Sequence, residues 1–564
     1  MNCQTNSAAL ENACLPSLRR HSKIILFIIL LLAAFLRLVN LGQSPPGLNQ
    51  DEAANAWSAY CLLKTGNDYT GASWPIYYMR SLGGNSSTLL TYMMIPFQAI
   101  GGLNVYTTRL PAVFAGVFTV WLIYFVAKKL FDTETGLAAA ALLALNPWHL
   151  QQSRWGHEAS IAPLLGLVPL AVMLWANLPV GDDKNNSPRP LIAGIGGVLA
   201  GVGCFGYHSI RIFVPVLILA AVLFNLPGWW KTIKTRKGAL SVALFVLGFA
   251  ATFGQLLYQH IFNPEGIGRH AYFQTDWVGS ASLVDSLKNV PLRYIQHFGA
   301  DFLFLRGDHY AIQGPPVGGQ FHWYALPLMI SGAILVLRKF KTSASLRTLA
   351  AFVLTYPIGD CLGWNLLSTH ALRSAPGLCA LVLLSAAGFT AAVRWLWKQN
   401  HSIAWATIMV FMASVIALNA RFFYHFYGEF NRRPEIYHMF HVDLIEACDW
   451  LKPRFDDFDA VYITTEGFIT PYVITTVAIG YDPQKWFSEP HEFTAPEEWD
   501  IYTRYGKLYF MYKDYFKRPD TKFLPDRTLF IIRPDETPIE NTPLKVIREI
   551  VRPDGVVVLL ICRL

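Results

Sequence analysis

Charge is scarce in this sequence. Asp, Glu, Lys and Arg make up 15% of the 564 residues, against roughly 25% in a typical soluble domain. A disordered chain shows the opposite balance, with low hydrophobicity and high net charge, so disorder is excluded. Hydrophobic residues reach 53% and the mean hydropathy is +0.32, which argues against a wholly soluble enzyme. Catalytic signatures are missing too: there is no phosphate-binding G-x-x-x-x-G-K-[ST], no H-E-x-x-H and no Ser-His-Asp order. A nucleotide-driven enzyme is therefore not expected. The eight cysteines form no C-x-x-C and no zinc-like spacing with histidine. The net charge of +8 is not read as a nucleic-acid signal, because its sign has to be judged loop by loop.

What is abundant is long apolar stretches. A membrane-spanning helix needs about 20 mostly apolar residues. Eleven candidates are Ile24–Leu41, Thr107–Ala127, Gly136–Leu150, Ala159–Leu178, Leu191–Tyr207, Ile212–Trp229, Ala239–His260, Trp323–Leu337, Leu349–Leu367, Gly377–Val393 and Ile403–Ala420. The first follows Arg19, Arg20 and Lys23 and has no convincing cleavage site, so it reads as an uncleaved anchor with a cytoplasmic N-terminus over residues 1–23. A shorter apolar stretch, Ser87–Gly102, is broken by Pro96 and Gln98. Orientation decides its place. If it does not span, Lys128/Lys129, Lys231/Lys234/Arg236/Lys237 and Arg338/Lys339/Lys341/Arg347 all fall on the cytoplasmic side, and the short outer loops keep only Arg154, Arg211 and Arg373. If it spans, every later loop inverts against the positive-inside rule. It is therefore expected to be an interfacial or re-entrant helix on the outer face.

The expected fold is a polytopic α-helical membrane protein of about eleven transmembrane helices, residues 24–421, with outer loops 42–106 and 261–322. It is followed by an external α/β domain, residues 422–564. In that tail His441–Leu451 reads as helix and Ala460–Thr464, Lys507–Met511, Thr528–Ile532 and Gly555–Ile561 as strands. Cys204, Cys361 and Cys379 fall in spans and read as packing residues. Cys448 and Cys562 fall in the tail, where a disulfide between them is permitted but not required.

Ionisable groups at membrane depth are costly and are functional candidates by default. The first group is Asp51-Glu52, behind Pro45-Pro46-Gly47 and at the start of a helix over Ala53–Lys64. Acidic residues there can be simple caps, or the chemistry of a site just above the bilayer. The second is Ser153-Arg154-Trp155-Gly156-His157-Glu158. Arg154 and Glu158 are four apart and can pair, or Glu158 can face Asp51 across the bundle. The third and fourth are Tyr207-His208-Ser209-Ile210-Arg211 and His370-Ala371-Leu372-Arg373. Their two arginines are phosphate-site candidates, since a guanidinium holds a phosphate bidentately. The fifth is Arg306-Gly307-Asp308-His309-Tyr310, in a Gly/Pro-rich loop that covers a cavity or merely connects.

The acidic pair after the first span, Arg109-Leu110-Pro111 opening the next span, and Ser153, Arg154 and Glu158 resemble the C-type membrane glycosyltransferases (the GT-C fold). More narrowly they resemble the protein O-mannosyltransferase and aminoarabinose transferase superfamily. Gly307-Asp308 and His370-Ala371-Leu372-Arg373 share in the likeness, which covers roughly residues 24–420. The resemblance implies inverting transfer of a sugar from a polyprenyl-phosphate donor on the external face of a membrane, with the acidic residue at Asp51 as base. Glu52 fills the second position of the pair, and Glu158 falls where relatives carry a further acid. The chain departs from the aminoarabinose transferases at Ser73-Trp74-Pro75-Ile76, where they carry Lys-Pro-Pro. Its long loop is too short for the β-trefoil of many protein O-mannosyltransferases. The first departure counts against an aminoarabinose donor with a lipid A acceptor and the second against a protein acceptor, and the acceptor stays open among lipid, glycan and protein.

Single displacement needs a base for the acceptor proton and cations for the departing phosphate. On this reading Asp51, Glu52 and Glu158 are catalytic, and Arg154, His157, Tyr207, His208, Arg211, Asp308, His309, His370 and Arg373 bind substrate. Carboxylates also suit Mg²⁺ or Mn²⁺, but no full ligand set is visible. A monophosphate donor carries less charge than a diphosphate, so no metal is expected to be required. Neither is a nucleic-acid partner expected. The expected location is a bacterial inner membrane with the tail in the periplasm. The alternative is a transporter or flippase of lipid-linked sugar, which would favour midplane polar residues and an internal repeat.

Overall fold

A computed structural model describes residues 20–183, 187–263, 283–361, 369–494, 501–511, 524–536 and 544–563. The chain enters through α1 (Ser22–Leu38), whose Ile24, Phe27, Ile28, Leu31 and Phe35 are exposed, a surface suited to an apolar solvent. Its one charge near the end, Arg37, is fully buried. It donates to Ala33 O (3.0 Å) and Ala144 O (3.4 Å) and stands 2.8 Å from His149 Nδ1.

The chain then turns into α2 (Gln50–Thr65), the hairpin β1 (Met79–Ser81) and β2 (Gly84–Ser86), and α3 (Thr88–Gly101). The bundle continues through α4 (Val105–Leu130), α5 (Thr133–Ala144), α6 (Pro147–Gln152), α7 (Ala162–Trp175), α8 (Pro190–Gly203), α9 (Ile210–Phe224), α10 (Leu226–Ile233) and α11 (Arg236–Phe262). After α12 (Leu283–Gln296) come α13 (Ala325–Lys339), α14 (Ala344–Thr355), α15 (Ile358–Cys361), α16 (Ala371–Ser374), α17 (Leu378–Gln399) and α18 (His401–Tyr424).

Among the described residues five helices are long and apolar enough to cross a membrane, or six if α9 and α10, bent by 85°, form one span. Eleven were expected from apolar runs alone. The other runs are occupied by shorter helices, among them α1, α5, α8, α13 and α14. Pro, Gly and polar residues interrupt them, and irregular backbone is tolerated at membrane depth where it is buried in protein. Expected span nine, Leu349–Leu367, breaks at Tyr356-Pro357, and its last residues lie outside the described set. α8 crosses α11 at very short range. A Cβ on Gly197 would sit 2.1 Å from Phe245 O, so only glycine fits this G-x-x-x-G contact with Gly201. Gly201, Gly203 and Gly206 also have G-x-G-x-x-G spacing, but they end an apolar helix and follow no strand, so they are no dinucleotide fingerprint.

The tail holds α19 (Pro434–Met439), α20 (Val442–Leu451), β3 (Ala460–Thr464), α21 (Pro471–Ile479) and α22 (Pro483–Ser488). Strands β4 (His491–Thr494), β5 (Ile501–Tyr505), β6 (Leu508–Met511), β7 (Thr528–Ile532), β8 (Lys545–Val551) and β9 (Val557–Arg563) complete it. They form a seven-stranded sheet in the order β4-β5-β6-β3-β7-β9-β8. β3 is parallel to β6 on one side and to β7 on the other, and the outer pairings are antiparallel. β7 is buried throughout, as a central strand covered on both faces should be. Edge strand β8 is exposed and carries Lys545, Arg548 and Glu549, charges that discourage further pairing.

The permitted Cys448–Cys562 disulfide is not formed; both are free and buried. Side chains alternate along β9, so Leu559 and Ile561 face the core that holds Cys448 on α20, while Cys562 faces the other side with Phe530.

Helix α2 joins the two bodies. Ala53, Ala54, Trp57 and Cys61 belong to the core of the tail domain, whereas Ala56 and Ala59 belong to the core of the bundle. Alanines on both faces let each body approach the helix closely.

Candidate active site

Helix α2 begins at a capping box. Asn49 Oδ1 accepts from Asp51 N (3.1 Å) and Glu52 Oε2 accepts from Asn49 N (3.2 Å). Successive helical residues point about 100° apart, so the acidic pair divides. Glu52 turns inward and is fully buried. It accepts from Arg109 Nε (2.9 Å), Arg109 Nη2 (3.0 Å) and Gly156 N (2.7 Å). The same guanidinium donates to Leu41 O, Pro45 O and Gly47 O at 2.8–2.9 Å. Both Glu52 oxygens are thus occupied. The structure corrects its expected catalytic place: Glu52 pins the first loop to α4, and the capping reading is right for it.

Asp51 turns the other way. Its carboxylate is 46% exposed and lies 3.9 Å from His157 Nε2. His157 Nδ1 accepts from Ala159 N (3.0 Å), so a neutral ring carries its proton on Nε2, toward Asp51. Removal of solvent by the surrounding protein raises the Asp51 carboxyl above its ordinary range; His157 opposes this and Glu52 adds to it. Burial lowers the His157 imidazole, with Asp51 and Glu52 opposing.

Arg154 does not pair with Glu158, and it does not face the open side. It is buried, donates to Ser44 O (3.1 and 2.9 Å) and Leu36 O (2.9 Å), and lies over Phe426 and Tyr427. Its donors hold the end of α1, which corrects the substrate-binding expectation. Glu158 instead accepts from Ser87 N (3.0 Å), lies within electrostatic reach of Asp51 and Arg211, and is buried. Of the two readings for it, the pairing with Arg154 is not formed.

Tyr207 is buried with its ring 5.9 Å from that of His157 and a similar distance from that of half-buried His208. Arg211 reaches Cys204 O and Ser87 Oγ, both at 3.4 Å. Arg373 differs. It is half-buried, lies within electrostatic reach of Tyr207 and Asp308, and has no hydrogen-bond or ion-pair partner among the described residues. Of the two phosphate candidates it is the one left open.

Asp308 closes the long loop onto this end of the bundle. It accepts from Ala371 N and from Tyr310 N (2.8 Å), with Gly307 before it in the left-handed region (φ +77°). Burial pushes its carboxyl up to about 7, against the pull of those two amides. Both of its carboxylate oxygens thus accept from backbone amides, one of them the first of α16. His309 is exposed, at the rim of a cavity of about 590 Å³ that Asp301, Arg306, Asp308 and Thr369 also line.

His370 Nδ1 is buried without a partner among the described residues, and the His370 N–H donates to Asp360 Oδ2 (2.9 Å). Asp360 was missed in the sequence, although an acid in the apolar run Leu349–Leu367 is a signal by itself. It also lies 3.1 Å from His297 Nε2. His297 Nδ1 is 2.7 Å from Arg293 O.

Asp51, His157, Glu158, Tyr207, His370 and Arg373 thus come from separate stretches of chain to one end of the bundle. Among the described residues no group of three or more His, Cys, Asp or Glu converges as metal ligands.

Residues 86–254 match the family described as dolichyl-phosphate-mannose-protein mannosyltransferase. The solved structure of ArnT from Cupriavidus metallidurans in the apo state has a TM-score of 0.53 and 12% identity, over 97% of this chain and 98% of that one. The chain shares the fold of that ArnT. The same ArnT bound to undecaprenyl phosphate matches with a TM-score of 0.49 and 11% identity, over 98% of each chain. The Archaeoglobus fulgidus oligosaccharyltransferase AglB, in complex with an inhibitory peptide and a dolichol-phosphate, matches with a TM-score of 0.48 and 12% identity over 81% of this chain. This chain spans 64% of that one's length. A comparison with curated protein sequences finds no match.

Proposed function

We propose that this protein is a membrane glycosyltransferase. It moves a sugar from a polyprenyl-phosphate donor to an acceptor at the external face, with inversion and with Asp51 as general base. The observation that carries this reading is the division of the acidic pair. Glu52 is consumed by Arg109, while Asp51 stands open beside His157 in the same cluster as Arg373, which has no hydrogen-bond or ion-pair partner among the described residues. A base needs an accessible carboxylate within reach of the acceptor hydroxyl. A leaving phosphate needs a cation whose donors are not already spent, and among the described residues Arg373 meets that need. Glu158, facing Asp51, orients the acceptor or the sugar. The Nε2–H of neutral His157 steadies the Asp51 carboxylate as it approaches the acceptor proton.

In this reading eleven segments cross or enter the membrane, residues 1–23 lie in the cytoplasm, and the tail domain lies outside, in the periplasm of a bacterial inner membrane. The ArnT and AglB structures, solved with undecaprenyl phosphate and with dolichol-phosphate, support a lipid-phosphate donor. A monophosphate leaving group has less charge to neutralise than a diphosphate, so the mechanism calls on no metal.

The test is sugar transfer by the purified protein, given polyprenyl-phosphate hexoses and a membrane extract as acceptor. Asp51→Asn should lower the rate by about 10²–10⁴-fold with an unchanged melting temperature. Equal rates would remove Asp51 from the mechanism. No transfer by the wild type with any donor would favour movement of lipid-linked sugar across the bilayer instead.

A further inference from the structure

The tail domain contains a cavity of about 310 Å³, whose lining residues all belong to the tail. It falls within the size of small-ligand pockets, roughly 300–1,000 Å³. Its position follows from the sheet. β3 and β7 are parallel neighbours, and the chain goes on from β3 to the β6 side of the sheet but from β7 to the β9 side, so a crevice opens between the two loops at their carboxyl ends. Ligands of open α/β sheets bind in such crevices. Glu466 and Gly467, just after β3, and Arg533 and Asp535, just after β7, line this one.

The crevice is built firmly. Arg533 ties three elements together: Nε donates to Glu466 O (3.1 Å), and Nη1 donates to Asp443 Oδ2 on α20 (2.9 Å) and to Val558 O on β9 (3.0 Å). Its guanidinium lies 4.3 Å from the ring centroid of Phe468. Glu536 clamps the turn from below, accepting from Thr464 Oγ1 (2.8 Å) and Arg533 N (2.6 Å). The Glu466 and Asp535 carboxylates, by contrast, hold no partner among the described residues and are exposed.

The lining chemistry selects the ligand. Arg533 and Arg552 are already paired, with Asp443 and Asp554, and a phosphate would also meet the open carboxylates. A compact cation would meet the two arginines. A neutral ligand with many hydroxyls suits both, because each hydroxyl can donate to a carboxylate and accept from a guanidinium. We propose that this crevice binds a saccharide, as an acceptor subsite of the tail domain. The acceptor assignment rests on the glycosyltransferase reading; the saccharide class rests on the lining.

The crevice also connects to Asp51. His438 and Asp443 line it, while Met439, Phe440 and His441 between them grip the loop before α2. Leu48 N donates to Phe440 O (2.9 Å), Asn49 Nδ2 donates to Met439 O (3.2 Å), and His441 Nδ1 is 3.2 Å from Leu48 O. His441 holds a left-handed backbone (φ +49°), unusual for a residue with a side chain, at this junction.

Saturation-transfer NMR on the detergent-solubilised full-length protein tests the site, with gluco-, manno- and galacto-configured trisaccharides as probes. At least one should receive saturation from the wild type. The signal should fall at least tenfold in a Glu466→Ala/Asp535→Ala variant and persist in Asp51→Asn. No signal with any probe, or a signal that survives the double substitution, overturns the proposal. In the transfer assay the double variant should show a raised acceptor KM at unchanged kcat. Binding without transfer by the wild type would count against the glycosyltransferase reading and leave the saccharide site standing.

Discussion

Asp51 and Glu52 are neighbours of the same chemistry with different fates, and the difference is measurable. Glu52→Gln leaves Arg109 buried with a weakened partner. Breaking such a pair costs about 3–5 kcal/mol, so the melting temperature should drop, whereas Asp51→Asn should lower turnover alone. Arg373→Ala should raise the donor KM at least tenfold in a titration of polyprenyl-phosphate sugar, and Arg373→Lys should restore part of it, a point charge without the fork. Asp308 adds a pH dependence. Its folded carboxyl is raised to about 7, above the unfolded value near 3.9, so the folded state binds the extra proton and stability falls as pH rises from about 4 through 7. Hydrogen exchange around residues 306–312, corrected for intrinsic rates, should quicken across that range and flatten in Asp308→Asn. At this scale the sequence showed which residues to suspect, not their orientation. Asp51, Glu158 and Arg373 were legible as charges beside apolar runs. Arg154 looked the same and is spent on backbone carbonyls, because a guanidinium's partners lie elsewhere in the chain. Asp360 was overlooked for the opposite reason: one acid inside a span was read as part of the span.

At the scale of elements, α2 and the α8–α11 crossing are the places where side-chain size is most constrained. Ala54 on α2 is buried against the tail core, and Ala54→Leu should destabilise by about 1–3 kcal/mol through overpacking. Gly197→Val should be at least as severe, since the atom it would meet is backbone; chemical denaturation of both variants checks this. Strands β3 and β7 occupy the stretches read as strands, because short β-branched and aromatic runs between turns have few other uses. β8 went unread because its exposed face carries Lys545, Arg548 and Glu549, which resembles loop composition. The helices of the bundle were legible as apolar runs but not as lengths. Apolarity marks what a segment avoids, while a helix ends where its backbone finds other partners.

For the whole molecule, the bundle and the tail share α2, and neither has a complete surface without it. Calorimetry of the full chain should therefore show the tail and the outer end of the bundle unfolding in one transition, and Trp57→Ala, which empties a fully buried site, should lower it by about 3–5 kcal/mol. Two transitions, only one of which moves, would show that the bodies are independent. If the leaving group is a monophosphate, chelation of divalent ions should leave transfer unchanged; a loss restored by Mg²⁺ or Mn²⁺ would assign a role to metal.

The Glu52–Arg109 clamp has a consequence for how such a protein could change its preference. Asp51 shares a backbone with a residue bolted to α4, so the acid has no freedom to follow a differently shaped acceptor. On the proposed mechanism, any new acceptor must be brought to a stationary proton-taker, and the space opposite it is what can be remodelled. Selection for altered acceptor range should therefore yield replacements around Tyr207, His370 and the mouth of the tail crevice, while leaving the Asn49–Glu52 turn untouched.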